Sequence, residues 1–131
     1  MSALDTNVLV RFLVEDDASQ SAAAKRILKA ASDAGEMLFV SDVVLIEITW
    51  VLSRSYRVGR QGIHDVVGRL LQARQLSFRN RAVLLQALER YEKGKGDFAD
   101  YVVFELAKEA GHDNLLTFDQ ALLREAGFLK P

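Results

Sequence analysis

The chain holds one proline, Pro131, so none of the preceding residues breaks a helix by losing its amide hydrogen. That scarcity of breakers predicts long helices joined by short connections. "SALD" reads as a short buried strand, and "NVLVRFLVE" has helical spacing at Val8 and Phe12 and at Leu9 and Leu13. "DDASQSAAAKRILKAASDAG" predicts a second helix, with Asp17 as its N-cap and Gly35 as its stop. "MLFV" reads as a strand. "SDVVLIEITWVLSRSY" is too long for one and is expected to be a helix capped by Ser41 or Asp42. Two polar-faced helices follow, near 60–74 and 80–93, separated by the apolar piece "LSF". "DFADYVVFELAKEAG" predicts a helix ending at Gly111, "NLLTF" a strand and "DQALLREAG" a last short helix. This order predicts an α/β fold with a mainly parallel central sheet flanked by helices on both sides.

A chain of 131 residues suits one domain, 1–131, and at this length folding buries roughly 65–70% of the unfolded chain's surface. The absence of cysteine excludes disulfides, thiolate zinc sites and thiol catalysis, and it fits a reducing cytoplasm. No basic start leads into an apolar core, because Asp5 interrupts it, so no signal peptide is expected. The most apolar run, "DVVLIEITWVL", is far too short to span a bilayer and contains Glu47. The net charge of −1 gives no global attraction to nucleic acid, so any such binding must come from local basic patches.

The carboxylates carry the chemical interest. In open parallel sheets, ligands bind outside the carboxyl ends of the strands. Asp5 follows the first expected strand and Asp119 the last, which places both at one edge of the sheet. Glu47 sits in a helix that is apolar almost all round, with Val43 and Val51 four residues either way. An ionised carboxylate buried there would be costly without a partner. Asp97 and Asp100 stand three apart at the start of a helix. Each acid has a structural reading: Asp5 and Asp119 as helix caps, Asp97 with Asp100 as a capping box, Glu47 as partner of a distant Arg. Taken together, acids at element ends repel one another unless a cation sits among them. Carboxylate oxygens suit hard divalent cations, which activate water and clamp an in-line displacement at phosphorus.

The motifs "ALDTNVLVRFL", "SDVVLIEITWVL", "DFADYVV" and "LLTFDQAL", in this order and spacing, resemble the PIN-domain family, and within it the VapC-type toxins of toxin–antitoxin pairs. The resemblance covers essentially the whole chain and implies a metal-dependent endoribonuclease using Mg²⁺ or Mn²⁺. It also implies a cytoplasmic protein, a homodimer, an RNA substrate and a cognate antitoxin. Carried over position by position, the family's acids fall on Asp5, Glu47, Asp100 and Asp119, with Asp97 as a less regular fifth. Thr6, Asn7 and Thr117 match the flanking polar residues. Ser2 departs from the more usual apolar residue in the first strand. In this reading Thr6 or Asn7 caps the first helix and leaves Asp5 for the metal.

His64 and His112 lack ligand spacing and read as structural or surface residues. No nucleophile elbow, phosphate-cradling glycine loop or dinucleotide fingerprint is present. Arg54, Arg57 and Arg60, with Lys93 and Lys95, are basic clusters that serve either helix ends or RNA phosphates, and Arg11 is a further candidate contact. Trp50 and Phe39 read as core residues. An aspartate-based phosphatase fits less well, because Asn7 stands where a second acid is wanted. The alternative from another class is a catalytically weak PIN-like module that binds RNA or a protein partner.

Overall fold

A computed structural model describes residues 2–131 of the chain. The backbone divides into two compact units, residues 1–79 and 80–131.

The first unit carries α1 (Thr6–Leu13), α2 (Ala18–Ala34), β1 (Leu38–Phe39), α3 (Asp42–Ser55), α4 (Arg60–Gln72) and β2 (Leu76–Ser77). The caps explain the boundaries. Asp17 accepts the Gln20 N–H at 3.0 Å and Ser41 accepts the Val44 N–H at 3.1 Å, so Ser41 rather than Asp42 caps α3. A cap of this kind stabilises a helix by about 1 kcal/mol. At the other end of α2, Gly35 takes the left-handed conformation at φ 68°, and its N–H closes onto Ala31 and Ser32. β1 and β2 pair in parallel, Leu38 opposite Leu76, and Ala3 forms a single parallel bridge with Phe39. The expected strand "SALD" is thus one bridge, held by Leu4 N–H to the Phe39 carbonyl at 2.8 Å and Phe39 N–H to the Ser2 carbonyl at 2.9 Å. Leu9, Leu45, Ile48, Leu52 and Val67 are buried, as α1 packs on α2 and α3, and α3 on α4.

The second unit carries α5 (Arg81–Lys93), α6 (Phe98–Glu109), β3 (Leu115–Leu116), a 3₁₀ turn (Leu122–Arg124) and β4 (Phe128–Leu129). α5 and α6 pack together around Leu84, Leu88, Tyr91, Phe98, Tyr101 and Phe104. Phe128 joins this cluster, with its ring 5.0 Å from Phe104 and 6.2 Å, edge-on, from Tyr101. β3 and β4 pair in parallel, Leu115 opposite Phe128.

The strands are shorter than expected, and among the described residues they form two separate two-stranded sheets, one in each unit. The last helix is shorter too: "DQALLREAG" contracts to one 3₁₀ turn before Gly127, at φ 92°, turns the chain into β4. Among the described residues no helix is long and apolar enough to cross a membrane.

Candidate active site

In the first unit, Asp5 leaves the Ala3 bridge and becomes the N-cap of α1. Its Oδ1 accepts the Thr6 N–H at 2.8 Å, while the residue itself stays exposed. The cap therefore falls to Asp5, not to Thr6 or Asn7 as expected. Thr6 turns inward instead. It is 7% exposed, and its hydroxyl donates to Glu47 Oε1 at 3.2 Å, which ties α1 to α3. Asn7 is exposed beside a groove between α1 and α2.

The expectation of a buried Glu47 is overturned: Glu47 is exposed. The inward stripe of α3 is Leu45, Ile48 and Leu52, whereas Val43, Glu47, Trp50 and Arg54 share the outer face. A helix that is apolar all round in sequence does not say which face is covered. Val43 is 64% exposed, and Trp50 and Phe39, expected in the core, are each 38% exposed. Glu47 thus escapes the desolvation cost that made it look anomalous. Arg54 lies over the Trp50 ring, 5.5 Å from its centre. Asp42, one residue after the cap, has its Oδ1 shut from solvent with no hydrogen-bond partner among the described residues.

The cations of this unit have varied settings. Arg11 is committed to a network: it donates to Gln20 Oε1 at 2.6 Å, to Asp16 Oδ1 at 3.0 Å and to the Tyr56 hydroxyl at 3.3 Å. Tyr56 in turn donates to Asp16 Oδ2 at 2.6 Å. That hydrogen bond, aided by the Arg11 charge, holds the Asp16 carboxyl below its ordinary range. Arg57, at φ 55°, takes the left-handed conformation that ends α3, and Arg60 opens α4. His64 contacts Asp65 at 3.5 Å, and His112 is exposed.

In the second unit the acids are held by a more elaborate scaffold. Asp97 is the N-cap of α6. Asp100 Oδ2 accepts the Asp97 backbone N–H at 2.8 Å, the return half of a capping box. Asp100 is therefore itself part of the cap, as the capping-box reading of the pair expects. Burial is the largest influence on its carboxyl and pushes its pKa up, and the charges of Asp97, Asp119 and Glu125 push the same way. Asp119 follows β3. Its backbone N–H donates to the Thr117 hydroxyl at 3.0 Å, and its Oδ1 accepts the N–H groups of Ala121 and Leu122 at 2.9 and 3.1 Å. Thr117 thus fixes the entry to Asp119, and Asp119 opens the 3₁₀ turn.

Two further residues hold this arrangement, and the motif reading missed both. The Tyr101 side chain is fully buried. Its hydroxyl accepts the Gly96 N–H at 2.9 Å and donates to the Glu125 carboxylate at 2.8 Å. Glu125 Oε2 also accepts the Lys95 N–H at 3.2 Å. The loop that delivers Asp97 is pinned in this way to the turn after Asp119. The fit needs glycine: a Cβ on Gly94 would stand 1.9 Å from the Tyr101 hydroxyl, and one on Gly96 would stand 2.6 Å from Leu122. The available signal was the pair of glycines in "KGKGD".

Among the described residues no group of three or more His, Asp or Glu side chains is arranged to hold a metal ion. The donor chemistry nevertheless suits one. The candidate ligands are all carboxylates, the hard oxygen donors that Mg²⁺ and Mn²⁺ take, and Asp100 is a part-buried acid facing like charges that a cation would relieve.

A match to the PIN domain spans residues 3–129, covering both units, and the chain belongs to the PIN-domain family. Among curated proteins it is similar to a VapC ribonuclease of Aquifex aeolicus (strain VF5), 28% identical over 128 residues, which is 98% of this chain and 93% of that protein.

Proposed function

We propose that the chain is a metal-dependent endoribonuclease, the toxin of a type II toxin–antitoxin pair, acting in the cytoplasm as a homodimer. The observation that carries the reading is the end-to-end similarity to a VapC ribonuclease, joined to a part-buried Asp100 among like charges. The ligand set is Asp5, Glu47, Asp100 and Asp119, with Asp97 in an outer role. A bound Mg²⁺ or Mn²⁺ supplies an activated water and the positive charge that phosphodiester hydrolysis needs.

The chain's own residues orient that set. The Thr6 hydroxyl fixes one oxygen of Glu47, and the helix cap fixes one oxygen of Asp5, leaving the other oxygen of each for a cation. The Asp97 N–H fixes Asp100, and Thr117 fixes the backbone entry to Asp119. Lys93, Lys95, Arg54, Arg57 and Arg60 are the candidate phosphate contacts. Arg11 is the weakest, because its guanidinium is already engaged by Asp16, Gln20 and Tyr56.

A cognate antitoxin completes the pair, and a cation from it paired with these carboxylates would block metal binding. The test is cleavage of total RNA by the purified protein with Mn²⁺ and with chelator, followed by sequencing of the new 5′ ends. Mn²⁺-dependent cuts at a defined sequence support the reading. Intact RNA under both conditions favours the binding module instead.

A further inference from the structure

The second unit contains a recess of about 510 Å³ that the acids do not use. Arg90, Lys93, Lys95 and Arg124 line it, with Glu125 as the one carboxylate. Arg90 is its fixed cation. Its guanidinium lies 4.4 Å from the centre of the Phe104 ring and donates to the Ala126 carbonyl at 2.7 Å. Glu125 is turned to its own scaffold: Tyr101 donates to its carboxylate, and the Lys95 backbone N–H donates to Oε2. Lys93 makes only an exposed pair with Glu89 at 3.5 Å, of the kind worth little in water. Lys95 and Arg124 are exposed, and among the described residues neither side chain has an ion-pair partner. A concave surface with four cations, two of them unpaired, attracts an anion.

We propose that this recess binds a backbone phosphate of the RNA strand, separate from the phosphate that is cleaved. The inference rests on the ribonuclease reading and adds a second point of attachment to it. Lys95 lies two residues before Asp97, and Gly96 between them is held by Tyr101, so the recess and the acidic pair share one rigid loop. Acids near a cleavage site repel the substrate they act on. A cationic seat built into the same loop offsets that repulsion and fixes the strand beside them. Arg124 and Lys95 supply the contacts, Lys93 closes the rim, and Arg90 forms the floor.

The probe is a fluorescein-labelled single-stranded RNA of mixed sequence, bound to the full chain in chelator so that nothing is cut. Fluorescence anisotropy across a salt series gives Kd and its salt slope. Each phosphate contact contributes about 0.7 to that slope for a single strand. Lys95→Ala with Arg124→Ala should lower the slope by about 1.4 and weaken binding roughly tenfold or more at low salt. Each single variant should give about half the change in slope. The control, Lys25→Ala with Lys29→Ala on α2, removes the same net charge and should leave the slope in place. Inorganic tripolyphosphate separates strand from free anion: displacement of RNA only at high tripolyphosphate concentration supports a strand phosphate, while stoichiometric displacement overturns it in favour of a free polyphosphate. An unchanged slope in the double variant, or an equal fall in the control, also overturns the proposal. Wild-type protein that binds RNA through the recess but never cuts it with Mn²⁺ would keep the recess and remove the ribonuclease reading.

Discussion

Asp5 and Asp100 both stand at the start of a helix, yet the two are held by different means. Asp5 is exposed and tied by one hydrogen bond to the next residue's amide, and Glu47 is tied by one hydroxyl. Asp100 is half-buried, bonded to the Asp97 amide, and backed by a loop pinned through Tyr101 and Glu125. The first unit presents Asp5 at a regular helix start and Glu47 on the exposed face of α3. The second presents Asp97 and Asp100 at a helix start entered from a glycine-rich loop, whose shape is enforced by the buried Tyr101 and its bond to Glu125. Both acids sit at capped helix starts; the one entered from a glycine-rich loop has a buried scaffold behind it as well.

The contrast breaks most visibly in the scaffold. Gly94→Ala places a methyl where the Tyr101 hydroxyl and Glu125 already are, so it should cost about 1–3 kcal/mol, the usual penalty for overpacking. Tyr101→Phe removes the hydroxyl that accepts the Gly96 amide and donates to Glu125, and about 1–3 kcal/mol is expected there too. Urea denaturation measures both. Thr6→Val, the comparable change in the first unit, loses one bond to an exposed acid and should cost about 0.5–1.5 kcal/mol. Equal losses in the two units would remove the distinction.

Metal binding sharpens it. The Asp100 carboxyl is pushed above its ordinary 3.8, so its contribution favours the fold at low pH and is lost as pH rises through the folded value. Asp100→Asn keeps an acceptor for the Asp97 amide and removes the charge. It should raise the melting temperature of metal-free protein at neutral pH and shrink the gain given by Mn²⁺. For the wild type that gain should be about 2.7 kcal/mol at a hundredfold excess over Kd. Melting curves of the two proteins with chelator and with Mn²⁺ decide this, and an Mn²⁺ shift undiminished by the substitution would place the cation elsewhere.

The smallest effect belongs to the exposed Arg11–Asp16–Tyr56 network. Its hydrogen bond from Tyr56 holds the Asp16 pKa below 3.8, so the contribution is present above that value and is lost as pH falls through the lower folded one. Tyr56→Phe should lower the melting temperature slightly at neutral pH, leave it unchanged in strong acid, and so flatten the acid limb of melting temperature against pH.

Much of this was legible in the sequence where local chemistry decides. Asp17, Gly35 and Asp97 lie at the helix ends where capping preferences put them, and the helices follow. What was not legible depends on partners distant in sequence. β2 and β4 are two residues each and exist because Leu38 and Leu115 pair with them, which no periodicity over so short a run announces. Glu47 was misread because its helix is apolar on both faces, and only packing selects Leu45, Ile48 and Leu52 for the interior. Tyr101 and Glu125 were passed over because an aromatic and an acid 24 residues apart carry no local mark of their bond. Asp5, Asp97, Asp100 and Asp119 stand out in the sequence because each falls at an element boundary, where a side chain is presented rather than packed, whereas Glu47 lies inside α3.

The central claim is that Asp5 serves a cation as well as a helix. Asn caps a helix as well as Asp does, and it is neutral. Asp5→Asn therefore separates the two roles in one purified protein, read by melting temperature and by Mn²⁺-dependent RNA cleavage side by side. The prediction is an unchanged melting temperature in chelator with cleavage abolished. Full Mn²⁺-dependent cleavage by Asp5→Asn protein would show that Asp5 is a cap alone and contradict the account.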